Sequence, residues 1–450
     1  MTFLDPETLQ GVGAPPGPNP GLLKSSRGSE VLVVERNAPR GVAELAGKSA
    51  GERIRYFRER AGISRPVLGG LTGRSAEWVK AVEKGRLKVP RLPLLLRIAE
   101  VLEVADLSDL TGDQRLSVAS FGKARHESLD AVGRALTDYM LQPPDAEPVP
   151  APVLAARADE AWGLWHGAAR QRTAVSVVLP ALLRDARDSA RRLDGNDRRS
   201  ALRTLAQAYH LTQLFLSFQP RPDLIMLCVD RAMQAAQDAD DPAAIAAAAW
   251  YMNHVFRDAT EHAQTRTDLA LSAARLLSPG ESAEHLALHG LLQLACALSY
   301  AKTGREGEAW RYWDTASVAA RSLGAGYAHP RLIFGPGMTD AYAVTMYTDL
   351  MRGGSAVRAA NQLDVAAMPS TTRRSFHLIE SARARSLCTR SSRPDPVAII
   401  SLLELARDES PDTARFNLFT RSWAAQAAVR GDTAVRERAR GFAVSIGIAL

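Results

Sequence analysis

Residues 73–86, which read GRSAEWVKAVEKGR, hold the densest set of side chains suited to polar recognition. A serine suited to capping a helix opens the stretch, and a glycine suited to ending one closes it. Between them lie two lysines, two glutamates and a tryptophan. Such groups form hydrogen bonds and ion pairs with a charged partner, or they simply solvate the outer face of a helix. The surrounding charge and the neighbouring elements must decide between these two interpretations.

Positive charge is concentrated around this stretch. Residues 51–91 contain eleven Lys and Arg side chains and four Glu side chains, a net charge of +7, which equals the net charge of the whole chain. The rest of the chain is therefore balanced. A localised basic region is typical of a surface that binds phosphate groups.

The composition limits the remaining possibilities. The 450 residues are rich in Ala and Leu and are only 6% aromatic, which favours a helical chain of more than one domain. Three cysteines lie far apart in apolar stretches, which argues for a reducing compartment and against disulfides or a zinc site. The N-terminus lacks the basic and apolar segments of a secretory signal, and no apolar run has the length of a membrane span, so we expect a cytoplasmic protein.

No combination of residues predicts catalysis. The nine histidines are scattered without metal-ligand spacing, and HPRLIFGPGM at 329–338 lacks the spacing and the lysine of a phosphate-binding loop. We interpret 329–338 as a structured loop between helix pairs. The sequence therefore predicts a protein that is not an enzyme and has no metal and no cofactor.

The pattern along the chain predicts an all-α fold of several parts. Turn residues and helical spacing divide the chain into a flexible N-terminal arm (1–47), a domain of five short helices (48–115), a linker (116–152) and a helical body (153–450). Within the linker, 117–141 is predicted to be one amphipathic helix, and the proline-rich residues 142–152 are predicted to be a semi-rigid spacer. The body shows no strand pattern and is predicted to hold about fourteen helices in about seven antiparallel pairs.

Residues 51–111 resemble the Xre/Cro-type helix-turn-helix domain of bacterial and phage repressors. The resemblance is carried by GERIRYFRERAGIS, followed by VLGGLTGRSAEWVKAVEKGRLKVPRLPLLLRIAEVLEV. It implies that the third helix enters the major groove of DNA and that the helix before it contacts the backbone. It also implies that Val79 and Val82 face inward onto Leu68, Leu95 and Ile98, and that Glu83 pairs with Arg58.

The same resemblance implies which side chains meet DNA. Ala76, Glu77 and Ala81 fall on base-reading positions, where Glu77 can accept a hydrogen bond from cytosine and the alanines can touch a thymine methyl group. The whole set of predicted DNA-binding residues is Arg65, Arg74, Ser75, Ala76, Glu77, Trp78, Lys80, Ala81, Arg86, Lys88 and Arg91.

Three features depart from the family pattern. Alanines at two reading positions imply fewer hydrogen bonds to bases, so specificity is expected to rest partly on DNA shape. Trp78 either stacks on a DNA sugar or lies over Arg74. Gly69 and Gly70 lie inside the second helix, where each costs about 1 kcal/mol relative to alanine, and we expect them to allow close approach of the third helix.

The body resembles tetratricopeptide-like repeats at one pair of helices. In residues 291–324, Tyr300, Gly304, Ala309, Trp313 and Ala316 match the spacing of such a repeat, in which small residues let the paired helices approach. The other pairs match only loosely, so we predict an α-solenoid of degenerate repeats. A helix-turn-helix head on a repeat body is similar, in architecture only, to the RRNPP group of peptide-responsive regulators.

One helix of the body offers a candidate wall for a ligand. In residues 242–259, Ile245, Ala249, Met252 and Phe256 form the apolar stripe of the helix. A second stripe, more than a third of a turn away, can bind a peptide backbone or a carboxylate and consists of Trp250, Asn253, His254 and Arg257. The alternative is that Trp250 packs on the next repeat and Arg257 is solvated.

The sequence thus predicts a nucleoid-associated, sequence-specific transcriptional regulator that binds a double-stranded DNA operator. Alternatives are a peptide-pheromone-gated quorum regulator and a repeat scaffold whose head binds protein. We expect a homodimer, because one small head makes too few contacts for high specificity. Two surfaces are candidates for pairing: the stripe of Leu129, Val132, Leu136 and Tyr139, and the favoured repeat body. The body ends in the apolar ARGFAVSIGIAL, which is either a partner surface or folds inward.

Overall fold

The structure, a computed structural model, describes most of the chain beyond the N-terminal arm. The described residues are 45, 47–87, 90, 92–104, 107–112, 123–142, 144–258, 263–388 and 395–448. They form 21 helices and no strand, which confirms the all-α prediction. Within them, no helix has the combination of length and apolar character that crossing a bilayer requires. The predicted arm, 1–47, lies almost entirely outside the described residues.

Five short helices form the head of the described chain, as the sequence predicts. They are α1 (Ala50–Arg60), α2 (Arg65–Thr72), α3 (Ala76–Glu83), α4 (Leu92–Val101) and α5 (Leu107–Thr111). Serine caps fix the starts of the first three, because Ser49, Ser64 and Ser75 each accept a hydrogen bond from a backbone amide in the first turn. The caps explain why such short segments begin at definite residues.

The head has a hydrophobic core of its own. Val79 and Val82 are 1% and 2% exposed and pack with a set of buried side chains from the other helices, Ile54, Leu68, Leu95, Ile98 and Leu110. This confirms the predicted inward face of α3.

Glycines let the helices of the head approach closely. A Cβ at Gly51 would lie 2.2 Å from the carbonyl oxygen of Val82, and one at Gly69 would lie 2.6 Å from that of Arg74. The expected close approach is therefore confirmed for Gly69. At Gly70 it is wrong, because a Cβ there would meet nothing within 4 Å.

The predicted amphipathic helix over 117–141 is much shorter in the structure. Only α6 (Leu129–Thr137) is helical among the described residues of that range. Leu129, Val132 and Leu136 are almost fully buried in the core of the body, while Tyr139 lies beyond the helix and is 65% exposed. The candidate dimerisation stripe is therefore already occupied by an intramolecular contact, so the prediction that it is free to pair is wrong.

The proline-rich segment packs against the body rather than spanning a gap. Arg187, Arg191 and Arg192 donate hydrogen bonds to backbone carbonyls between Ala135 and Ala146, and Ser189 donates to the carbonyl of Val149 at 2.8 Å. The expectation of a semi-rigid spacer is wrong, since Arg192 and Ser189 bind the carbonyls of Ala146 and Val149 within the segment.

The body contains fifteen described helices, close to the fourteen predicted. Seven pairs of consecutive helices pack along their lengths, and α19 (Pro411–Phe416) stands between the last two pairs. The pairs are α7 (Ala151–Gly167) with α8 (Gln171–Arg192), α9 (Gly195–Leu216) with α10 (Pro222–Asp238), α11 (Pro242–Asp258) with α12 (Ala263–Ala274), α13 (Ala283–Lys302) with α14 (Glu306–Ser322), α15 (Pro336–Asp349) with α16 (Gly353–Gln362), α17 (Thr371–Ser386) with α18 (Pro396–Glu409), and α20 (Leu418–Arg430) with α21 (Thr433–Ser445).

The α13–α14 pair is built as the repeat spacing implies. Ala309 and Ala316 are fully buried between the two helices, and Gly304 adopts a φ of 81° in the turn. Trp313 reaches the next pair, where its Nε1 donates to the carbonyl of Thr339 at 3.0 Å. Small residues therefore hold the pair together, and an aromatic residue joins it to its neighbour.

The beginning of the body contacts a region near its end. The side chain of Gln171, at the start of α8, bonds to Thr413 at 2.8 Å and to Ser410 at 2.7 Å, and the amide of Arg172 donates to Asp412 at 3.0 Å. The first pair of helices thus touches the region between the sixth and seventh pairs, more than 235 residues later in the chain.

The apolar end of the chain and the loop at 329–338 both bury apolar side chains. The apolar end of the chain folds inward, with Phe442, Ile446 and Ile448 buried in the C-terminal core, so it is not the free face that was one candidate for dimerisation. The loop at 329–338 is ordered, with Phe334 fully buried and the amide of His329 donating to the carbonyl of Phe334.

Candidate nucleic-acid interface

A buried carboxylate anchors the recognition helix α3. Glu83 accepts hydrogen bonds from Arg58 at 2.5 Å and from Arg65 at 2.6 Å, and its own side chain is completely buried. The predicted Arg58–Glu83 pair is present. Arg65, predicted to contact a phosphate, is instead the second partner of Glu83 and only one third of its side chain is exposed.

The N-terminus of α3 is capped as predicted. The Ser75 hydroxyl accepts from the amide of Trp78 at 3.1 Å. The Arg74 guanidinium lies over the Trp78 ring at 5.7 Å from its centroid, so of the two open interpretations of Trp78 the structure shows the one that involves Arg74. The tryptophan also packs at the edge of the head's core.

The outer face of α3 carries the remaining polar side chains. Glu77 is 80% exposed and pairs with Lys80 at 3.2 Å, while Lys84 and Arg86 just beyond the helix are exposed. Ala76 and Ala81 lie half-buried on the same helix. Of the predicted DNA-binding set, Lys88 and Arg91 lie outside the described residues. One face therefore offers an acceptor for a base and several cations for phosphates.

The turn before α3 also touches the body. A Cβ at Gly304 would lie 3.4 Å from the Cβ of Ser75. The Nε of Arg74 is buried with no hydrogen-bond partner among the described residues. Burial lowers the pKa of the Arg74 guanidinium, while the charge of Asp349 opposes that shift and the charge of Arg383 adds to it.

Asp349, which the sequence did not single out, supplies a negative charge that acts on Arg74. It pairs with Arg383, which also binds Glu380 at 2.7 Å. Burial alone would raise the pKa of the Asp349 carboxyl, but the charges of Arg383 and Arg74 outweigh burial and hold that pKa at about 2. No signal in the sequence links Arg74 with Asp349, because the pairing depends on how the head rests on the body.

The predicted ligand wall on α11 is closed in this structure. Trp250 and Asn253 are 1% and 5% exposed, and the Trp250 ring contacts His254 and Tyr342 edge-on. The Asn253 amide donates to the carbonyl of Arg266 at 2.9 Å. Of the two open interpretations, the structure shows the one in which Trp250 packs within the body, and Trp250 and Asn253 do not face an open groove. The side chain of Arg257 lies outside the described residues.

The hollow next to these residues is small. It is lined by Trp250, Asn253, His254 and their neighbours on α13 and has a volume of about 10 Å³, the space of one water molecule. Among the described residues, no cluster of His, Cys, Asp or Glu side chains has the size of a metal site.

Comparison with known proteins supports the assignment of the head. Residues 49–110 match a family described as a helix-turn-helix domain. The matched range begins at the Ser49 cap and ends within α5, so it coincides with the five-helix unit that has its own core. No curated protein matches the chain. The chain thus carries a helix-turn-helix domain, joined to a larger helical body.

Proposed function

We propose that this protein is a sequence-specific, DNA-binding transcriptional regulator. The observation that carries the proposal is the architecture of α3: a capped helix, held on the head by a buried carboxylate and two arginines, with Glu77, Lys80 and Arg86 on its outer side. The helix-turn-helix match at 49–110 supports a DNA-binding role for this domain.

The roles on this face differ by chemistry. Glu77 accepts a hydrogen bond from the amino group of cytosine and so reads sequence. Arg86 and Lys84 attract phosphates and so set affinity without reading sequence. Arg65 acts through Glu83, by holding α3 in place, and not as a free phosphate contact.

Selection of bound duplexes from a random DNA pool tests the proposal. Both the full chain and a 1–115 fragment should retain DNA, and the fragment is suitable because the head has its own core. We expect Glu77→Ala to lose base preference at one position, at a cost of about 1–3 kcal/mol. An enriched site that is unchanged in that variant would remove Glu77 from the reading role.

A salt titration separates phosphate contacts from base contacts. Arg86→Ala should weaken binding to all duplexes and flatten the slope of log K against log salt by about 0.9. Arg275→Ala, which removes an exposed arginine from the body, is the matched control and should leave the slope unchanged. If neither the full chain nor the fragment retains duplex DNA at low salt, the head binds protein and the scaffold alternative stands.

The body serves, in this proposal, to sense a ligand or to pair two heads. A tetratricopeptide-like build is supported by the seven helix pairs and by the small and aromatic residues of α13 and α14. A peptide-gated regulator is a narrower version of the same function. Homodimerisation would place two heads on two half-sites about one helical turn apart. Light scattering of the full chain at micromolar concentration tests that point.

A further inference from the structure

We propose that the body weakens DNA binding by the head, by covering the N-terminus of α3 with the Gly304 turn. This inference rests on the proposed function, because it concerns the regulation of the same recognition helix. It extends that function by naming the surface that competes with DNA.

The body sterically blocks the end of α3 that would face the DNA bases. A recognition helix enters the major groove with its N-terminal residues towards the base edges. Here the Gly304 turn lies so near Ser75, the residue that caps this end of the helix, that a Cβ added at Gly304 would be in van der Waals contact with the Ser75 side chain. The groove is about 12 Å wide, so its walls would overlap α13 and α14 on either side of that turn. DNA and the body cannot occupy the end of α3 together.

The body also places a negative charge near this end of α3. Arg74 lies next to the helix end where a phosphate group binds most favourably. In the structure the negative charge of Asp349, which pairs with Arg383, favours the charged form of Arg74. A carboxylate supplies the same negative charge as a DNA phosphate. The Nε of Arg74 nevertheless has no hydrogen-bond partner among the described residues, so a phosphate could bind it more fully than the body does.

The contact is also of a kind that can open. Within the described residues, the core of the head and the core of the body are separate clusters that share no buried apolar side chain. The head can thus leave the body without exposing its core. When the head leaves the body, it loses the attraction between Arg74 and Asp349 and the packing at Ser75. Contacts between the head and DNA phosphates offset that loss.

The covering surface is assembled from three successive helix pairs. Gly304 joins α13 to α14, Asp349 ends α15, and Arg383 lies on α17. Trp310 and Tyr347, with ring centroids 4.5 Å apart, connect α14 to α15 near this surface. Any ligand or partner that changes the packing between these pairs would separate Gly304 from Asp349. The site through which the body senses a signal need not touch the head.

A reversible cross-link tests the steric part. The 3.4 Å between the Ser75 Cβ and a Cβ at position 304 is close to the about 3.5–4.5 Å of a disulfide. In the full-length double variant Ser75→Cys, Gly304→Cys, we expect a disulfide that mass spectrometry locates between those positions. Binding to the selected duplex should fall at least tenfold when the variant is oxidised and recover on reduction.

The outcomes of the cross-link are distinct. The reduced variant is the reference for the oxidised one, and the single variant Ser75→Cys detects disulfides with native cysteines. A disulfide that forms and leaves DNA binding unchanged would overturn the inference. Because a cysteine is strained at the φ of 81° that Gly304 adopts, failure of the two cysteines to cross-link would overturn it in a double variant that unfolds at the same temperature as wild type. Loss of duplex binding by the wild-type 1–115 fragment would instead overturn the proposed function.

A charge variant tests the electrostatic part. Asp349→Asn removes the carboxylate that faces Arg74 and should tighten binding of the full chain to its duplex by about fivefold or more, the lower range of coupling between sites. Glu380→Gln is the matched control, because Glu380 binds the same Arg383 but exerts no such charge on Arg74. We expect Glu380→Gln to bind DNA within about twofold of wild type, because this variant keeps the attraction between Asp349 and Arg74. Equal affinities of Asp349→Asn and wild type would refute the electrostatic role of Asp349.

Discussion

At the scale of single residues, the partner of a charge decides its role more than its position in a motif does. Glu77 and Glu83 lie six residues apart on the same short helix. One is 80% exposed with a lysine beside it, and the other is completely buried between two arginines. Their predicted effects on stability therefore differ sharply.

Glu83→Ala should destabilise the head by about 3–5 kcal/mol, because it removes the buried carboxylate of Arg58 and leaves only the half-exposed Glu59 beside that guanidinium. Urea unfolding of a 45–115 fragment measures the effect. Glu77→Ala is the matched control and should change the free energy of unfolding by no more than about 0.5 kcal/mol. Similar midpoints for the two variants would show that the Glu83 network does not stabilise the head.

At the scale of elements, the short helix α6 shows that an amphipathic stripe can pack within its own chain although its spacing suits a dimer contact. Leu129, Val132 and Leu136 have the spacing of a narrow coiled-coil seam. In the structure the seam faces α8 and α10 of the same chain, where a Cβ at Gly133 would lie 3.1 Å from Leu224. The helix is thus part of the body and not a free arm between two domains.

Leu136→Ala should lower the stability of the body by about 2–5 kcal/mol, because Leu136 is fully buried and its truncation leaves a cavity. Thermal unfolding of the full chain, followed by circular dichroism, measures this change. Leu141→Ala removes a side chain that is 87% exposed and should leave the unfolding curve unchanged. A variant Leu136→Ala that unfolds like wild type but loses self-association would restore the dimerisation role of the stripe.

At the scale of the whole molecule, curling of the body buries groups that usually remain in water. His210 and His377 are 3% and 1% exposed, and burial lowers the pKa of each imidazole to about 3. Both rings lie near aromatic side chains, His210 against Tyr251 and His377 against Tyr342. The folded body therefore keeps these rings neutral in weak acid.

This burial predicts loss of stability in weak acid. The unfolded chain binds a proton at each histidine below about pH 6.5, whereas the folded chain does not until about pH 3. The free energy of unfolding should therefore fall as the pH falls through this window, by about 1.4 kcal/mol per pH unit for each ring. Urea midpoints between pH 7 and pH 5 measure the slope.

His377→Phe provides the matched variant for this effect. Neither ring nitrogen of His377 has a hydrogen-bond partner among the described residues, so phenylalanine fits the same apolar surroundings. The variant should be more stable than wild type at pH 5 and should show a shallower dependence on pH. An identical slope would mean that protonation of His377 does not limit stability.

Local rules were sufficient to predict much of this protein from its sequence. Serine caps, helical spacing and turn residues predicted the five helices of the head, the inward face of α3 and the all-α body in about seven pairs. The Arg58–Glu83 pair followed from the family resemblance. These features depend on residues close together in the chain or on a pattern that many chains share.

Only the tertiary structure decided where the remaining charged and aromatic groups lie. Arg65 forms an ion pair with Glu83, and Trp250 is buried within the body. Arg74 lies under the electrostatic influence of Asp349, 275 residues further along the chain. Such contacts depend on how far the helix pairs curl and on where the head rests. Curl and docking arise from many small packing contacts summed over the whole molecule, and no local pattern records that sum.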